Sequence, residues 1–321
     1  MKHVVIGAGQ IGSALTRELA ARGEDVVVIR RSETPVAGAR VVVSDVLNTD
    51  VLSRELASAG AVYHCIHAPY DHRAWRRDLP QREVAVMDAA ARAGVPVVFP
   101  ESVYAYGQQA TCLHEGVGVA PCTPLGHVRA DLLAARARHE ARTASVVASD
   151  LFGPTANEGS VATLMIFRPL SRGRRAWVPA NLDAAHSWTY LPDLAKAMIY
   201  AATHQPELSA SMNGSSDLVV HAPTAEPRSC RQLATDAAAH LRHPARIGSV
   251  PVWPLAVAAR FDATAREVHA QRYLWRERAV LHPGALSEAG LTPTPWSVSL
   301  KDSLSHPVMG DGRESGASRL R

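Results

Sequence analysis

The sequence has few aromatic residues and no long apolar run. Aromatic side chains make up 5% of the 321 residues. No stretch is apolar over the length of a membrane span, and a strand pattern starts at residue 2, so neither a membrane anchor nor a signal peptide is expected. The net charge is +4, but the basic residues form no stripe interleaved with aromatics, so no nucleic-acid partner is predicted.

Cysteine is also scarce. The four cysteines lie far apart without the spacing of metal ligands, which predicts reduced thiols, no metal site and a cytoplasmic location. The run from Arg172 to Arg175 is the one dense basic cluster. It is either a contact for an anionic substrate or cofactor phosphate, or a surface loop. The cysteines are Cys65, Cys112, Cys122 and Cys230.

A strand, a glycine-rich turn and a helix open the chain. Residues 2–6, Lys-His-Val-Val-Ile, read as a strand, the run Gly7-Ala8-Gly9-Gln10-Ile11-Gly12 follows, and a helical pattern continues through Leu15 and Leu19. This order is typical of a dinucleotide-binding fold, in which the glycines allow a tight turn, close approach of a pyrophosphate and close helix packing. The helix N-terminus faces the phosphates. The predicted cofactor contacts here are Gly7, Gly9, Gln10, Ile11 and Gly12.

The second and third predicted strands indicate which dinucleotide is bound. Strand 25–29 ends at Arg30 and Arg31, where NAD-binding proteins carry an acid for the ribose 2′-hydroxyl. Guanidinium groups suit a 2′-phosphate, which favours NADP over NAD, although these arginines are alternatively a solvated strand end. Asp45, after strand 39–44, is placed to accept a hydrogen bond from the adenine amino group, or is a loop or N-cap residue.

Strands and helices alternate through the first half of the chain. This alternation predicts an α/β fold, a Rossmann-type doubly wound parallel sheet with a smaller C-terminal substrate lobe. We assign residues 1–155 to the dinucleotide domain, with later elements near 185–222 returning to its sheet, 156–305 mainly to the lobe, and 306–321 to a disordered tail. Further predicted strands are 62–66, 95–99, 145–148 and 217–221; predicted helices are 81–93, 128–142, 193–203 and 230–241.

Four more motifs follow the glycine-rich turn in a fixed order. They are Val-Tyr-His-Cys at 62–65, Phe-Pro-Glu-Ser-Val-Tyr-Ala-Tyr-Gly at 99–107, Asp-Leu-Phe-Gly-Pro at 150–154, and His-Ser-Trp-Thr-Tyr-Leu-Pro-Asp at 186–193. Together they resemble the extended short-chain dehydrogenase/reductases, and within them the NAD-dependent epimerase/dehydratase group. The resemblance implies a bound NAD(P), with His64 beside it, a small-molecule substrate and, as a possibility, a homodimer formed through helices of the Rossmann domain.

The resemblance also implies catalytic roles, and one of them is not met. Ser102 takes the place of the family serine or threonine that hydrogen-bonds a substrate oxygen, unless it only satisfies the strand-end backbone. The family's Tyr-x-x-x-Lys is replaced by Leu125 and Arg129. Arg129 can still contact the ribose hydroxyls or a phosphate, but leucine cannot exchange a proton. The usual acid/base mechanism therefore does not carry over.

Other residues are candidates for the missing proton-exchanging group. They are His67, Tyr104, Tyr106 and His127. Helical spacing points His127 away from the face shared by positions 125 and 129, so we place Tyr104 ahead of it. A structural tyrosine packed under the cofactor is the alternative for Tyr104 and Tyr106.

The remaining motif residues are given structural roles. Ser149 and Asp150 stand where sugar-nucleotide enzymes of this superfamily carry asparagine, which disfavours a nucleotide-sugar substrate. Asp193 is expected to cap the following helix. Trp188 and Tyr190 are expected in the core or the cleft wall.

Three functions follow from these residues. The first is an atypical NADP-dependent oxidoreductase, such as a carbonyl reductase, acting on a small organic substrate. The second is an NAD(P)-dependent epimerase or dehydratase, which needs a second acid/base pair that the sequence does not reveal. The third is a non-catalytic NADP-binding sensor, consistent with loss of the tyrosine beside a retained glycine turn.

Overall fold

The protein, represented by a computed structural model that describes residues 1–211 and 217–305, is built around a large parallel sheet. Its seven strands run in the order β10-β6-β5-β4-β1-β2-β3. Two small parallel pairs, β7 with β9 and β8 with β11, lie outside it. The strands are β1 Lys2–Ile6, β2 Asp25–Arg30, β3 Arg40–Val43, β4 Ala61–His64, β5 Val97–Ser102, β6 Thr143–Ala148, β7 Asp150–Phe152, β8 Ala176–Val178, β9 Trp188–Tyr190, β10 Asp217–His221 and β11 Ile247–Ser249.

Helices cover both faces of this sheet. A 3-10 segment, Val103–Cys112, follows β5, and a π-helical segment, Ala162–Phe167, precedes α5. The α-helices are α1 Gln10–Ala21, α2 Thr49–Leu56, α3 His72–Ala93, α4 Pro124–Arg138, α5 Arg168–Ser171, α6 Leu191–Thr203, α7 Gln205–Ser211, α8 Cys230–Leu241, α9 Val252–Ala258, α10 Ala263–Ala270, α11 Tyr273–Arg276, α12 Ala285–Glu288 and α13 Trp296–Leu304.

The apolar runs of the strands reflect burial on both faces. Along β1, Val5 packs into the cluster that contains Leu15 of α1, whereas Val4 packs into the cluster that contains Met87 of α3. Successive side chains of a strand point to opposite faces, so a strand covered on both sides is apolar throughout. The doubly wound parallel fold predicted from the sequence is confirmed. Within the described residues, no helix is long and apolar enough to cross a membrane.

Element boundaries differ from the prediction mainly at helix starts. Helix α3 begins at His72, not at 81, because the Asp71 carboxylate accepts hydrogen bonds from the first backbone N–H groups, and the helix continues through Pro80, where a break is expected. Helix α4 begins at Pro124, not at 128, because the Thr123 hydroxyl caps it. Strand β10 and helix α8 have the predicted limits. The predicted tail, 306–321, lies outside the described residues.

The predicted cap of α6 is wrong. Tyr190 is the N-cap of α6, and Asp193 lies in its first turn. The Asp193 carboxylate instead accepts hydrogen bonds from the backbone N–H and the hydroxyl of Thr294, at 2.6 and 2.7 Å. A residue 101 positions away supplied these donors, so the local sequence could not reveal them. Trp188 and Tyr190 are buried, as expected.

A buried ion network joins α3 and α4 to the sheet. Arg136 of α4 donates two hydrogen bonds to the Glu83 carboxylate of α3, at 2.8 and 2.7 Å, and one to Glu101 of β5, at 2.9 Å. It also contacts the Ser145 hydroxyl at 2.9 Å and lies 4.1 Å from the Phe99 ring centre. Burial by itself would raise the pKa of Glu83, but the Arg136 charge holds this pKa below its usual range. Both partners are therefore charged inside the protein.

Removal of the Arg136 charge should destabilise the fold strongly. Arg136→Met leaves the buried Glu83 without its counter-charge and Glu101 with only the more distant Arg129, so we expect the free energy of unfolding in urea to fall by about 3–5 kcal/mol. Arg138→Met, on the exposed end of the same helix, should cost less than about 1 kcal/mol. Similar losses in the two variants would contradict a structural role for the network.

Candidate active site

A cavity of about 420 Å³ opens at the carboxyl ends of the central strands. This edge lies where the strand order reverses, between β1 and β4, the position at which doubly wound sheets bind ligands. Segments of α1, β4, β5, α3, α4 and β7 contribute to its wall. Eight of the candidate residues from the sequence line it: Gly9, Gln10, Ile11, His64, His67, Ser102, Tyr104 and Arg129.

The three glycines of the turn have different surroundings. Gly7 has φ +93°, a conformation that favours glycine. A Cβ on Gly12 would lie 2.0 Å from the Gly7 carbonyl oxygen, so helix and turn are in direct contact there. A Cβ on Gly9 would meet nothing within 4 Å. The open face at Gly9, beside the first N–H groups of α1, fits a pyrophosphate.

A loop after β7 closes over the start of α1. The Thr155 hydroxyl donates to the Gln10 carbonyl at 2.8 Å, and the Asn157 N–H lies 3.4 Å from the Gln10 side-chain oxygen. Asn157 and Gly159 also line the cavity. Sequence reasoning missed both residues, because only the adjacent Gly-Pro motif gave any signal in this region.

Arg129 lies in the cavity wall among three partners. Its guanidinium group lies 4.7 Å from the Trp75 ring centre, donates to His67 Nε2 at 2.8 Å and places its Nε 3.5 Å from the Glu101 carboxylate. Burial in the concave wall, and then the Arg129 charge, lower the pKa of His67 to about 4. His67 is therefore neutral near pH 7 and can accept this hydrogen bond while Nδ1 donates to the Ala68 carbonyl.

Ser102 lies next to the same carboxylate. Its backbone N–H donates to Glu101 Oε1 at 2.7 Å, and its hydroxyl lies 3.4 Å from that oxygen. The other carboxylate oxygen of Glu101 accepts from Arg136. The end of β5 is thus fixed by the buried ion network, and Ser102 lines the cavity.

Two tyrosines and a carboxylate, Tyr70, Tyr104 and Asp150, form a second cluster of polar side chains in the cavity. The hydroxyl groups of Tyr104 and Tyr70 are 3.0 Å apart, and the Tyr104 ring stacks on Trp75. Burial, and then the nearby Asp150 charge, raise the pKa of Tyr104 to about 12. Asp150 in turn lies 2.6 Å from Nε2 of His186, which is buried. Sequence reasoning missed Tyr70 and the pairing of Asp150 with His186, because the latter are joined only when β7 pairs with β9.

His64 places an unpartnered polar atom at the cavity. It is 2% exposed at the end of β4, and burial lowers its pKa to about 4. Its Nε2 has no hydrogen-bond partner in the part of the chain that the structure describes. Buried polar groups are normally satisfied, so this atom suits a polar group of a bound ligand.

The other candidates for proton exchange lie elsewhere. Leu125 is fully buried in an apolar cluster with Trp75, Leu79 and Leu132. His127 is exposed on α4. Tyr106 lines a different cavity, which lies between α4 and β10. Of the four candidates from the sequence, Tyr104 and His67 are the ones that line the site.

The residues predicted to select the dinucleotide lie outside the cavity lining. Arg30 donates to the Thr34 carbonyl at 3.1 Å, and Arg31 is exposed at the end of β2. Asp45 accepts a hydrogen bond from the Leu47 N–H at 2.9 Å, as a turn residue does. The run 172–175 is exposed, and Arg175 lies over the Trp177 ring.

Comparison with known proteins agrees with this geometry. The model of the NAD dependent epimerase/dehydratase family matches residues 3–213. No curated protein sequence matches the chain. Among solved structures, UDP-N-acetylglucosamine 4-epimerase from Bacillus cereus superposes with TM-score 0.70 at 13% identity, covering 95% of each chain.

Two further solved structures, both complexes with NAD, have the same fold. UDP-glucuronic acid 4-epimerase from Bacillus cereus gives TM-score 0.69 at 16% identity, covering 95% of this chain and 97% of that one. UDP-glucose 4-epimerase from Brucella ovis gives TM-score 0.66 at 19% identity, covering 94% and 96%. At these identities the likeness concerns the fold.

Substitution of the turn glycines should separate binding from stability. A side chain at Gly9 has open space, so Gly9→Val should occupy the face where the pyrophosphate would lie without a clash. We expect NAD(P)H affinity, measured by fluorescence titration, to fall at least about tenfold, and the free energy of unfolding to stay unchanged. Gly12→Ala forces a contact with the Gly7 carbonyl and should cost about 1–3 kcal/mol in urea unfolding. Unchanged NAD(P)H affinity in Gly9→Val would contradict a dinucleotide at this turn.

Proposed function

The chain belongs to the NAD-dependent epimerase/dehydratase family, and from this we propose that it is an NADP-dependent oxidoreductase acting on a small organic carbonyl or hydroxyl compound. One observation carries the proposal. The open glycine turn, Ser102 and Tyr104 line a single cavity, so a dinucleotide and a proton-exchanging group can meet at one substrate.

The residues present fit a bound dinucleotide. The turn Gly7 to Gly12 would hold the pyrophosphate, and the unpartnered Nε2 of His64 would face a polar group of the cofactor. When bound, the nicotinamide supplies a hydride donor or acceptor. Arg129, held over Trp75, would lie beside the ribose hydroxyls or a phosphate.

Proton exchange is assigned to Tyr104. Leu125, at the position of the family tyrosine, lies in an apolar cluster and has no proton to give. Tyr104 is protonated near pH 7 and lines the cavity with Ser102, so in this proposal it donates a proton to a carbonyl oxygen that the Ser102 hydroxyl orients. Tyr70, 3.0 Å away, extends the hydrogen-bonded path from Tyr104.

An epimerase or dehydratase is the second candidate, and one pair of residues favours it. Such reactions require another acid/base group, and Asp150, paired with His186 at 2.6 Å, lines the same cavity. The two functions differ in how much cofactor they consume for each product molecule. A reductase consumes one NADPH per product, whereas an epimerase or dehydratase converts substrate without net change in the cofactor.

Substitution of Tyr104 tests the proposed chemistry. Purified protein is assayed against carbonyl compounds, hydroxyl compounds and nucleotide sugars, with NADPH and product followed together. Tyr104→Phe keeps the ring on Trp75 but removes the hydroxyl, so we expect kcat to fall by about 10²–10⁴-fold with NADPH affinity unchanged.

Tyr106→Phe is the matched control, since that ring lines the other cavity, and it should retain activity. Unchanged kcat in Tyr104→Phe would overturn the assignment of the proton donor. Binding of NADPH without turnover of any compound would favour the sensor.

The NADP preference rests on Arg30 and Arg31. Both arginines stand at the carboxyl end of β2, where a 2′-phosphate would lie. We expect Arg31→Asp to weaken NADP binding at least about tenfold and NAD binding by less than about twofold, measured by calorimetry. Arg172→Asp makes the same charge change in an exposed loop and should alter neither affinity. Equal losses for the two dinucleotides in Arg31→Asp would contradict the preference.

A further inference from the structure

A cysteine and two histidines meet outside the candidate active site. The Sγ atom of Cys112 lies 3.2 Å from Nε2 of His282 and 3.7 Å from Nε2 of His114. The three ligand-type atoms all lie within 4.8 Å of one another. Cys112 and His114 flank the end of the 3-10 segment, and His282 precedes α12, so the cluster joins two distant parts of the chain.

Backbone hydrogen bonds hold the two segments that carry these three side chains together. Leu113 and Leu281 form a parallel bridge, with hydrogen bonds from Leu113 N–H to the Val280 carbonyl at 2.8 Å and from His282 N–H to the Leu113 carbonyl at 2.9 Å. Both leucines are buried. Alternation along an extended segment then turns their neighbours at 112, 114 and 282 toward the outer side. The three ligand-type residues are thus placed together by the core beneath them.

These atoms have the chemistry and the spacing of a zinc site. A thiolate with two imidazoles is a donor set that zinc prefers. Tetrahedral zinc, about 2.3 Å from sulfur and about 2.0 Å from nitrogen, separates those two ligand atoms by roughly 3.5 Å. The observed sulfur-to-nitrogen distances of 3.2 and 3.7 Å lie on either side of this value. Little movement of the sulfur is therefore needed.

The two imidazole rings must open to bind a metal. They stack with centres 4.0 Å apart at an interplanar angle of 7°. The lone pairs of stacked rings lie in two separate parallel planes, so the rings have to splay until both nitrogens point at one ion. His114 is exposed and His282 half-buried, which leaves room for this rotation.

We propose that Cys112, His114 and His282 bind one Zn²⁺, with solvent as the fourth ligand. The site is distinct from the proposed active site and does not depend on it. The ion would tie the end of the 3-10 segment to the segment before α12. Tyr104 lies near the start of that 3-10 segment, so bound zinc would restrict the motion of the segment that carries this tyrosine.

Zinc binding to the full chain tests the proposal directly. Protein freed of metal by a chelator is titrated with Zn²⁺ against a chromogenic competitor, and with Co²⁺ followed by its visible absorption. We expect one ion per chain and the intense absorption of tetrahedral, thiolate-bound cobalt. Cys112→Ser and His282→Ala should each weaken zinc binding by more than about a hundredfold, since loss of a ligand costs more than loss of its supporting partner.

Cys122→Ser is the matched control, because Cys122 is exposed and outside the cluster. It should bind zinc like the original chain. Circular dichroism establishes that each variant is folded. Absence of zinc binding at micromolar concentration, or equal affinity in Cys112→Ser, would overturn the proposal.

Thermal unfolding gives a second, independent measurement. An ion that binds only the folded chain raises the Tm. We expect added Zn²⁺ to raise the Tm of the original chain and of Cys122→Ser, but not that of Cys112→Ser. The same rise in all three would place the metal elsewhere and contradict the site.

Discussion

The buried ion network of Arg136, Glu83 and Glu101 connects the core to the candidate active site. Arg136 holds Glu83 on one side and Glu101 on the other, and Glu101 in turn receives the Ser102 N–H. Glu101 also lies 3.5 Å from Arg129. Charges buried in this way require partners with fixed geometry. The position of Ser102 therefore depends on Arg136 of α4, which lines the same cavity.

The cavity combines the glycine turn with polar side chains from several elements. Leu125 makes the start of α4 part of an apolar cluster, and the polar group that α4 contributes to the site is Arg129, one turn further on. Tyr104 and Tyr70 lie at hydrogen-bond distance, and Asp150 is paired with His186. Burial raises the pKa of both phenols, so both are protonated near pH 7.

Local sequence patterns predicted the elements better than they predicted contacts. The glycine turn, the apolar strands and the limits of α8 are encoded within a few residues, and the structure has them where expected. Asp193 was predicted to cap α6, which is wrong, and no partner was predicted for His186. Each is hydrogen-bonded by a group more than thirty positions away, at Thr294 and Asp150.

The sequence by itself determined the doubly wound fold, the dinucleotide turn and the absence of a tyrosine at position 125, because glycine geometry and strand periodicity are local properties. Only the tertiary structure decided which side chains share the cavity. It brought Tyr70 to Tyr104, and Cys112 to His282, 170 positions apart. Such pairs form where strand order and loop packing bring distant segments together. The spacing of residues along the chain does not reveal which segments these are.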